Sequence, residues 1–315
     1  MKTHLAQRDQ SIEEAIIELD SLIGGDSAVE RIVASGQQAI PHLERFLLAS
    51  PPRTIPVPRA RAVRALGELG AYSVLLKYFE RYERPSDAAV LFAEDAVRSA
   101  AAKELARVRS EEVYCVLLDA TQQRATSGLV QALGEFRRRE SVPLLFELLE
   151  DDLCRNDALI ELRKVPEAAQ PYAILLLRGC TDTPIQGSIA SRRRRCTLQL
   201  LSEFGISGND WPEIREFLHD EDRDCVIATA HIGFSCASAS GAVTIVEALI
   251  EASARMNGAQ ELEVIELLDG HRAVAEPVIM NLAARQRAKD ERPNWSSPFW
   301  RILYHILGNR MDQEP

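Results

Sequence analysis

A seven-residue pattern of apolar positions returns eight times along this chain of 315 residues. Counted from its first residue, the pattern has apolar side chains at offsets +2, +5 and +6, and in five copies the first residue is proline. The copies begin at Pro41, Ser73, Glu112, Pro143, Pro171, Pro212, Val243 and Pro277. Consecutive starts lie 32, 39, 31, 28, 41, 31 and 34 residues apart, so the chain contains a tandem repeat of about 34 residues.

Each copy predicts the second helix of a two-helix unit. Proline suits the first helical position, because its missing N–H would have no intrahelical partner there. Offsets +2, +5 and +6 fall on one side of a helical wheel and give an apolar stripe for a partner helix. The partner lies upstream, in segments rich in alanine, glycine and leucine such as residues 62–70 and 129–136. Stacked helix pairs of this kind predict an α-helical solenoid.

One unit shows the pattern most fully: Leu133-Gly134-Glu135-Phe136 is followed by Ser141-Val142-Pro143-Leu144-Leu145 and by Leu148-Leu149-Glu150-Asp151-Asp152. These residues resemble the HEAT-like repeat of the phycobilisome-lyase type. The resemblance covers most of residues 28–285 and is sharpest at 59–82 and 124–153. Tetratricopeptide repeats have a similar period, but their pattern needs a Trp and a Tyr in the first helix that neither unit shows.

The resemblance implies a complete architecture. The fold class is all-α: a right-handed α-α superhelical solenoid of about eight HEAT-like two-helix repeats with terminal capping helices. Residues 1–27 would form an N-terminal capping helix, residues 28–290 the solenoid, and residues 291–315 a C-terminal capping helix and tail.

The ends and loops give further expectations. Ser11-Ile12-Glu13-Glu14 reads as a capping box that opens a helix over residues 12–23. Four prolines within residues 51–58 predict a stiff loop, which is either a spacer or a recognition loop. The two longest steps predict loops at residues 84–87 and 179–187. Near the C-terminus, Trp295 and Trp300 belong either to the cap or to an aromatic clamp.

Composition narrows the class of protein. Apolar residues make up 46% of the chain but aromatic residues only 6%, which is typical of alanine and leucine packing between helices. No signal-peptide pattern and no membrane-spanning apolar run is present, and the six cysteines include no Cys-x-x-Cys pair. We therefore expect a cytoplasmic protein. With 37 basic and 47 acidic residues the net charge is −10, which makes nucleic acid an unlikely partner.

Charged clusters allow two interpretations each. Glu150-Asp151-Asp152 and the run from His219 to Asp224 follow predicted second helices, and they suit caps of the next first helix better than a cation site. The arginine runs could bind phosphate or an acidic peptide, or could pair with those acidic caps. The residues of this predicted anion patch are Arg137, Arg138, Arg139, Arg192, Arg193, Arg194 and Arg195.

The sequence contains no recognisable catalytic constellation. None of the six histidines is followed by glutamate, as the HEAT-like di-iron hydroxylases require, and no His-Glu-x-x-His, phosphate-binding glycine loop or Gly-x-Ser-x-Gly occurs. We expect no catalytic residues, no cofactor and no metal. The resemblance leaves open a bilin-lyase-type enzyme or lyase subunit, with a tetrapyrrole pocket near Leu175, Arg178 and Ile250. A nucleic-acid-binding HEAT-like protein is the second alternative.

The first hypothesis is a non-catalytic scaffold or adaptor that holds a polypeptide on the concave face of the solenoid. Offsets +4 and +7 of each second helix should be exposed there, with Leu148 and Leu149 buried beside them. The mixture of acidic, basic and apolar residues at these offsets suits a polypeptide with basic segments. The predicted partner-binding residues are Arg45, Lys77, Asp119, Glu147, Glu150, Arg178, Glu216, His219, Glu247 and Asn281.

Overall fold

The computed structural model describes residues 2–181, 188–287 and 297–308, and within these ranges it contains eighteen α-helices and no strand. The chain divides into two compact units, Met1–Val165 and Pro166–Pro315. The helices of the first unit are α1 (Lys2–Glu18), α2 (Gly25–Ala34), α3 (Ile40–Ala49), α4 (Val57–Glu68), α5 (Tyr72–Glu80), α6 (Ala88–Leu105), α7 (Glu111–Gln123), α8 (Ser127–Gly134), α9 (Val142–Glu147) and α10 (Arg155–Arg163). The helices of the second unit are α11 (Pro166–Thr181), α12 (Ser188–Phe204), α13 (Trp211–Ile214), α14 (Arg223–Cys236), α15 (Ala239–Ser253), α16 (Gly258–Gly270), α17 (Arg272–Arg287) and α18 (Pro298–Leu307).

Alternate helices pack together in the first unit. The first helices of successive repeats form one row, in which α2, α4, α6, α8 and α10 each contact the next. The second helices α3, α5 and α7 form another row that begins at α1. Each repeat therefore buries its apolar residues against the repeat before it and the repeat after it, as expected of helical repeats.

The second unit follows the same plan. Helices α12, α14, α16 and α18 form the row of first helices, and α11 contacts α13 while α15 contacts α17. Helix α18 also packs on α15 and α17, and its Trp300 is buried. Trp295, the other half of the predicted aromatic clamp, lies outside the described residues.

The predicted apolar stripe is confirmed by burial. The residue at offset +2 is buried in all eight copies: Leu43, Leu75, Tyr114, Leu145, Ala173, Ile214, Ile245 and Ile279. The residue at offset +6 is buried in seven copies, and Leu118 is half-buried in the eighth. The helical phase assigned to the second helices is therefore correct over most of their length.

Small residues allow the first helices to approach closely. A Cβ added at Gly128 of α8 would lie 2.6 Å from the Cα of Ser99 in α6, and one added at Gly134 would lie 2.0 Å from a carboxylate oxygen of Glu161 in α10. Real side chains do not tolerate such distances. At Gly128 the neighbouring atoms include the backbone of Ser99, so glycine is required there for the spacing between α6 and α8. At Gly134 a larger residue would require the carboxylate end of the Glu161 side chain to move.

The start of the chain differs from the prediction. Helix α1 begins at Lys2, so Ser11 lies inside it, and the helix ends at Glu18 rather than at Ile23. The reason for the early end is Arg61 of α4, which donates hydrogen bonds to the carbonyl oxygens of Leu19 (2.8 Å) and Ser21 (2.7 Å). These bonds satisfy carbonyl groups at the helix end, and the chain turns there into α2.

Two further predictions about helix boundaries were wrong. Pro171 and Pro277 lie inside α11 and α17, because these helices begin earlier than the repeat pattern, at Pro166 and Arg272. Helix α9 ends at Glu147 and continues as a 3-10 turn over Leu148–Glu150. Leu149 is buried as predicted, but Leu148 is only half-buried, as are Phe46, Leu176 and Leu282 at the same offset +5 of other copies.

The predicted loops are found in part. Residues 51–56 are not helical, and α4 begins at Val57 with Pro58 in its first turn. Residues 81–87 link α5 to α6, and Asp87 caps α6 by accepting hydrogen bonds from the N–H groups of Ala89 and Val90. Helix α11 extends to Thr181, beyond the predicted loop start at residue 179, and residues 182–187 lie outside the described part of the chain.

Candidate functional site

The ten predicted partner-binding residues all lie on second helices or on the 3-10 turns that continue them. Nine of them are exposed, and Glu150 is half-buried. Arg45, Lys77, Asp119, Glu147 and Glu150 belong to the first unit. Arg178, Glu216, His219, Glu247 and Asn281 belong to the second unit.

Two of the cations on this surface join neighbouring second helices. The Nζ of Lys77 on α5 lies 2.9 Å from a carboxylate oxygen of Glu44 on α3. Arg178 on α11 contacts Glu213 on α13 and lies 3.7 Å from Asp210. Exposed ion pairs of this kind contribute less than about 1 kcal/mol, so they align helices without dominating stability.

The carboxylates of the second unit have a different environment. Glu216 is exposed on the 3-10 turn Arg215–His219, and Glu247 and Glu251 are exposed one helical turn apart on α15. Like charges four residues apart destabilise a helix by about 0.2–0.5 kcal/mol. Glu247 and Glu251 therefore do not contribute to the stability of α15. Glu251 also lines a cavity of about 300 Å³ together with His219, Glu221, Arg223 and Arg255.

The apolar residues of the predicted tetrapyrrole pocket are not brought together on one surface. Leu175 is 61% exposed, whereas Ile250 is 2% exposed. Ile250 is buried because α15 is contacted by α14, α17, α18 and the 3-10 turn over residues 215–219, which cover most of its circumference. The prediction that Ile250 lies on the exposed face was therefore wrong.

The arginine run of the first unit is partly engaged by its neighbours. Arg138 forms an ion pair with Glu111 at 2.5 Å, and its guanidinium lies 4.4 Å from the centroid of the Tyr114 ring. Arg137 is exposed and adopts a left-handed backbone conformation, with φ of 51°. Arg139 is exposed on the following 3-10 turn.

The arginine run of the second unit pairs with the acidic run that follows the next second helix. Arg194 lies 2.6 Å from Asp220, and Arg195 lies 2.8 Å from Asp222 and 2.9 Å from Asp224. Asp222 also caps α14 by accepting a hydrogen bond from the N–H of Asp224. Arg194 and Arg195 of the predicted anion patch thus form one ion-pair network with the acidic residues that were predicted to cap the next first helix. Arg192 and Arg193 are half-buried beside it.

Two of the free cysteines in the described part of the chain, Cys154 and Cys225, are buried, whereas Cys115 is exposed. Burial raises the pKa of Cys154 to about 12 and raises the pKa of Cys225 further, so both thiols stay protonated. No group of three His, Cys, Asp or Glu residues in the described ranges could hold a metal ion. None of the described helices is long and apolar enough to cross a membrane.

Sequence reasoning missed a polar cavity of about 620 Å³ in the first unit. Its walls come from the end of α3 and the proline loop on one side, and from the loop before α6 on the other. Arg59 of α4 and Glu94 of α6 line it, are 6% and 2% exposed, and form an ion pair at 3.1 Å. The sequence feature that could have indicated this cavity is the proline loop at residues 51–58, for which a recognition role was one of the two interpretations.

Comparison with solved structures finds a similarity to the complex of CpcE and CpcF of phycocyanin lyase from Nostoc sp. PCC7120. The match has 18% sequence identity and a TM-score of 0.34, and it covers 82% of this chain and 94% of that chain. It agrees with the resemblance to phycobilisome-lyase-type HEAT-like repeats, but it is too distant to carry a functional argument. No family model and no curated protein matches the chain.

Proposed function

We propose that this chain is a non-catalytic, cytoplasmic helical-repeat protein that binds a polypeptide partner with basic segments along the exposed faces of its second helices. The observation that carries the proposal is the set of exposed carboxylates Glu216, Glu247 and Glu251 in the second unit. The repulsion between Glu247 and Glu251, one helical turn apart, is unfavourable in the free protein and would be relieved by lysine or arginine side chains of a partner. The adjoining cavity is lined by residues of both charges, among them Glu221, Glu251, Arg223 and Arg255.

Two alternative functions make different predictions. For a bilin-lyase-type function, Ile250 cannot line the predicted tetrapyrrole pocket, because its side chain is buried. A visible-absorbance titration with bilin tests it, and an unchanged bilin spectrum at saturating protein excludes it.

A nucleic-acid role would rely on the arginine runs, in which Arg138, Arg194 and Arg195 already pair with carboxylates. Any such binding should weaken steeply with salt.

Charge reversal on the second helices tests the proposal. The variant Glu216→Lys/Glu247→Lys should capture at least about tenfold less partner from a native lysate than the unmodified chain, because two attractive contacts become repulsive. The matched control is Glu30→Lys/Glu266→Lys, which makes the same change of net charge at exposed positions of the first helices α2 and α16.

The control variant should capture the same partner as well as the unmodified chain does. Circular dichroism must show that both variants keep their helical content. Equal capture by the two variants would contradict the assignment of the binding surface to the second helices. Equal loss in both variants would mean that net charge, rather than this surface, determines binding.

A further inference from the structure

We propose that the cavity of about 620 Å³ in the first unit is a binding site for a small molecule that carries a carboxylate next to an amino or hydroxyl group, on an apolar body. The cavity lies where α3 and α5 end and where α4 and α6 begin. It is separate from the carboxylates assigned above to the polypeptide partner, so the two proposals are independent.

The buried ion pair at the cavity has unused hydrogen-bonding capacity. One oxygen of Glu94, Oε1, accepts from Arg59 at 3.1 Å and from the Tyr78 hydroxyl at 2.5 Å. The other oxygen, Oε2, has no hydrogen-bond partner within the protein, and neither do Arg59 Nε and the Tyr82 hydroxyl. Buried polar groups are costly when left unpaired. A ligand that pairs with all three groups needs a hydrogen-bond donor for Glu94 Oε2. It also needs an acceptor for Arg59 Nε and the Tyr82 hydroxyl.

The buried charges favour an acceptor that is an anion. Beneath Tyr82 lies Arg98, which is completely buried, and its guanidinium is 4.1 Å from the centroid of the Tyr82 ring. Arg98 donates only to carbonyl groups, those of Ala120 and Arg124. Arg59 and Glu94 line the cavity, whereas Arg98 lies behind Tyr82 and forms no ion pair with Glu94, so its positive charge is not neutralised by that carboxylate. A carboxylate on the ligand would balance this excess of positive charge.

The neighbouring charges do not remove the excess. Arg124 is engaged by Asp95 through contacts of 2.6–2.9 Å, so these two neutralise each other. Two arginines, Arg81 and Arg84, and two carboxylates, Glu83 and Asp87, also line the cavity, so their formal charges sum to zero. A ligand carboxylate with an adjacent amino or hydroxyl group would satisfy the requirements for an anion and for a donor to Glu94 Oε2 together.

The other residues that line the cavity favour a ligand with an apolar group. They are formed by Leu47, Leu48, Pro51, Pro52, Pro85 and Val90. The volume falls within the range of about 300–1,000 Å³ that is usual for small-molecule sites. The prolines hold their wall in a fixed conformation, so little ordering entropy is lost on binding. An aromatic or branched aliphatic group of amino-acid size or larger suits this lining.

Four matched probes test the chemistry on the full chain by isothermal titration calorimetry. L-Phenylalanine and L-phenyllactate have both the carboxylate and the adjacent donor, 3-phenylpropanoate lacks the donor, and 2-phenylethylamine lacks the carboxylate. The first two should bind at least about tenfold more tightly than the last two, because each of those leaves one buried group unpaired. No binding by any probe, or equal affinity across the four, would overturn the proposal.

Variants place the binding in this cavity. Tyr82→Phe removes only a hydroxyl group and should weaken L-phenylalanine binding severalfold, and Glu94→Gln should abolish the preference for L-phenylalanine and L-phenyllactate over 3-phenylpropanoate. The control is Tyr72→Phe, which alters a half-buried tyrosine that does not line the cavity. If Glu94→Gln does not fold, Tyr82→Phe decides alone. Unchanged affinity in a folded Tyr82→Phe protein would refute the site.

Discussion

Charged side chains at single positions join the first helix of one repeat to the next. Arg64 on α4 lies 2.9 Å from Asp26 on α2, and Arg301 on α18 lies 2.5 Å from Glu261 on α16. These pairs are accessible to solvent, at least on one side, and contribute little energy each. They nevertheless disfavour a shifted alignment of neighbouring helices, because a shift would separate the charges. The Arg59–Glu94 pair differs in being buried from solvent on both sides.

Thiol reactivity gives a prediction at single residues. Cys115 is exposed, whereas Cys154 and Cys225 are completely buried and burial raises the pKa of both thiols. In the folded protein at about pH 8, Cys115 should be alkylated first, and Cys154 and Cys225 only after denaturation, since the thiolate is the reactive form. Peptide mapping after timed iodoacetamide treatment measures this. Similar rates at all three would contradict the packing of α10 and α14.

Neighbouring residues at the end of α9 should differ sharply in their contribution to stability. Leu149 is fully buried, so Leu149→Ala should lower the free energy of unfolding by roughly 2–5 kcal/mol. Glu147 is exposed, and Glu147→Ala should change it by less than about 0.5 kcal/mol. Leu148→Ala should fall between the two, because Leu148 is half-buried. Urea denaturation distinguishes these values, and equal losses at 147 and 149 would show that the helical phase is wrong.

At the scale of helices, the attachment of α18 should depend on pH. The Arg301 guanidinium, which donates hydrogen bonds to Glu261, lowers the pKa of that carboxyl below its ordinary value of 4.5. Because the folded pKa is lowered, the stabilisation is complete above the unfolded pKa and is lost as pH falls through the folded pKa. Hydrogen-exchange protection of α18, corrected for intrinsic rates, should therefore fall as the pH is lowered below the ordinary carboxyl value of 4.5.

The variant Glu261→Gln provides the control for this pH dependence. It keeps the shape of the side chain but cannot titrate, so α18 should be less protected at about pH 5 and should lose less protection on acidification. An identical decrease in the variant and the unmodified chain would mean that other carboxylates hold α18 in place.

Helices and their buried faces were predictable, because the apolar pattern alone determines them. Leu43, Leu145 and Ile279 are buried as their offset in the repeat requires. Helix boundaries were less predictable, since they depend on distant residues. Arg61 lies about 40 positions from the carbonyl groups that it contacts at the end of α1, and no local pattern marks this contact.

The cavity was missed for a similar reason. Arg59 and Glu94 stand 35 positions apart, one in each of two successive first helices, and only their packing shows that they meet. Both are charged residues at buried positions, where a sequence pattern predicts apolar side chains. The exposed residues of the second helices were easier to identify, because the same wheel that buries offset +2 exposes offset +4.

At the scale of the whole molecule, both units are built from rows of helices, and the distribution of charged residues over these helices determines which partner the surface suits. The chain carries a net charge of −10, and part of its positive charge is used in ion pairs between first helices. Carboxylates such as Glu216 and Glu247 are left exposed on the second helices. This distribution favours a partner with basic segments over phosphate-bearing ligands.

The most direct test of the central claim is carboxyl footprinting of the chain with and without its captured partner. Glycine ethyl ester labelling, mapped by mass spectrometry, should fall severalfold at Glu216 and Glu247 when the partner is bound, because these second-helix carboxylates would be covered. Labelling of Glu30 and Glu266 on the first helices should stay unchanged. Protection of Glu30 and Glu266 instead, with Glu216 and Glu247 labelled as in the free chain, would contradict the account.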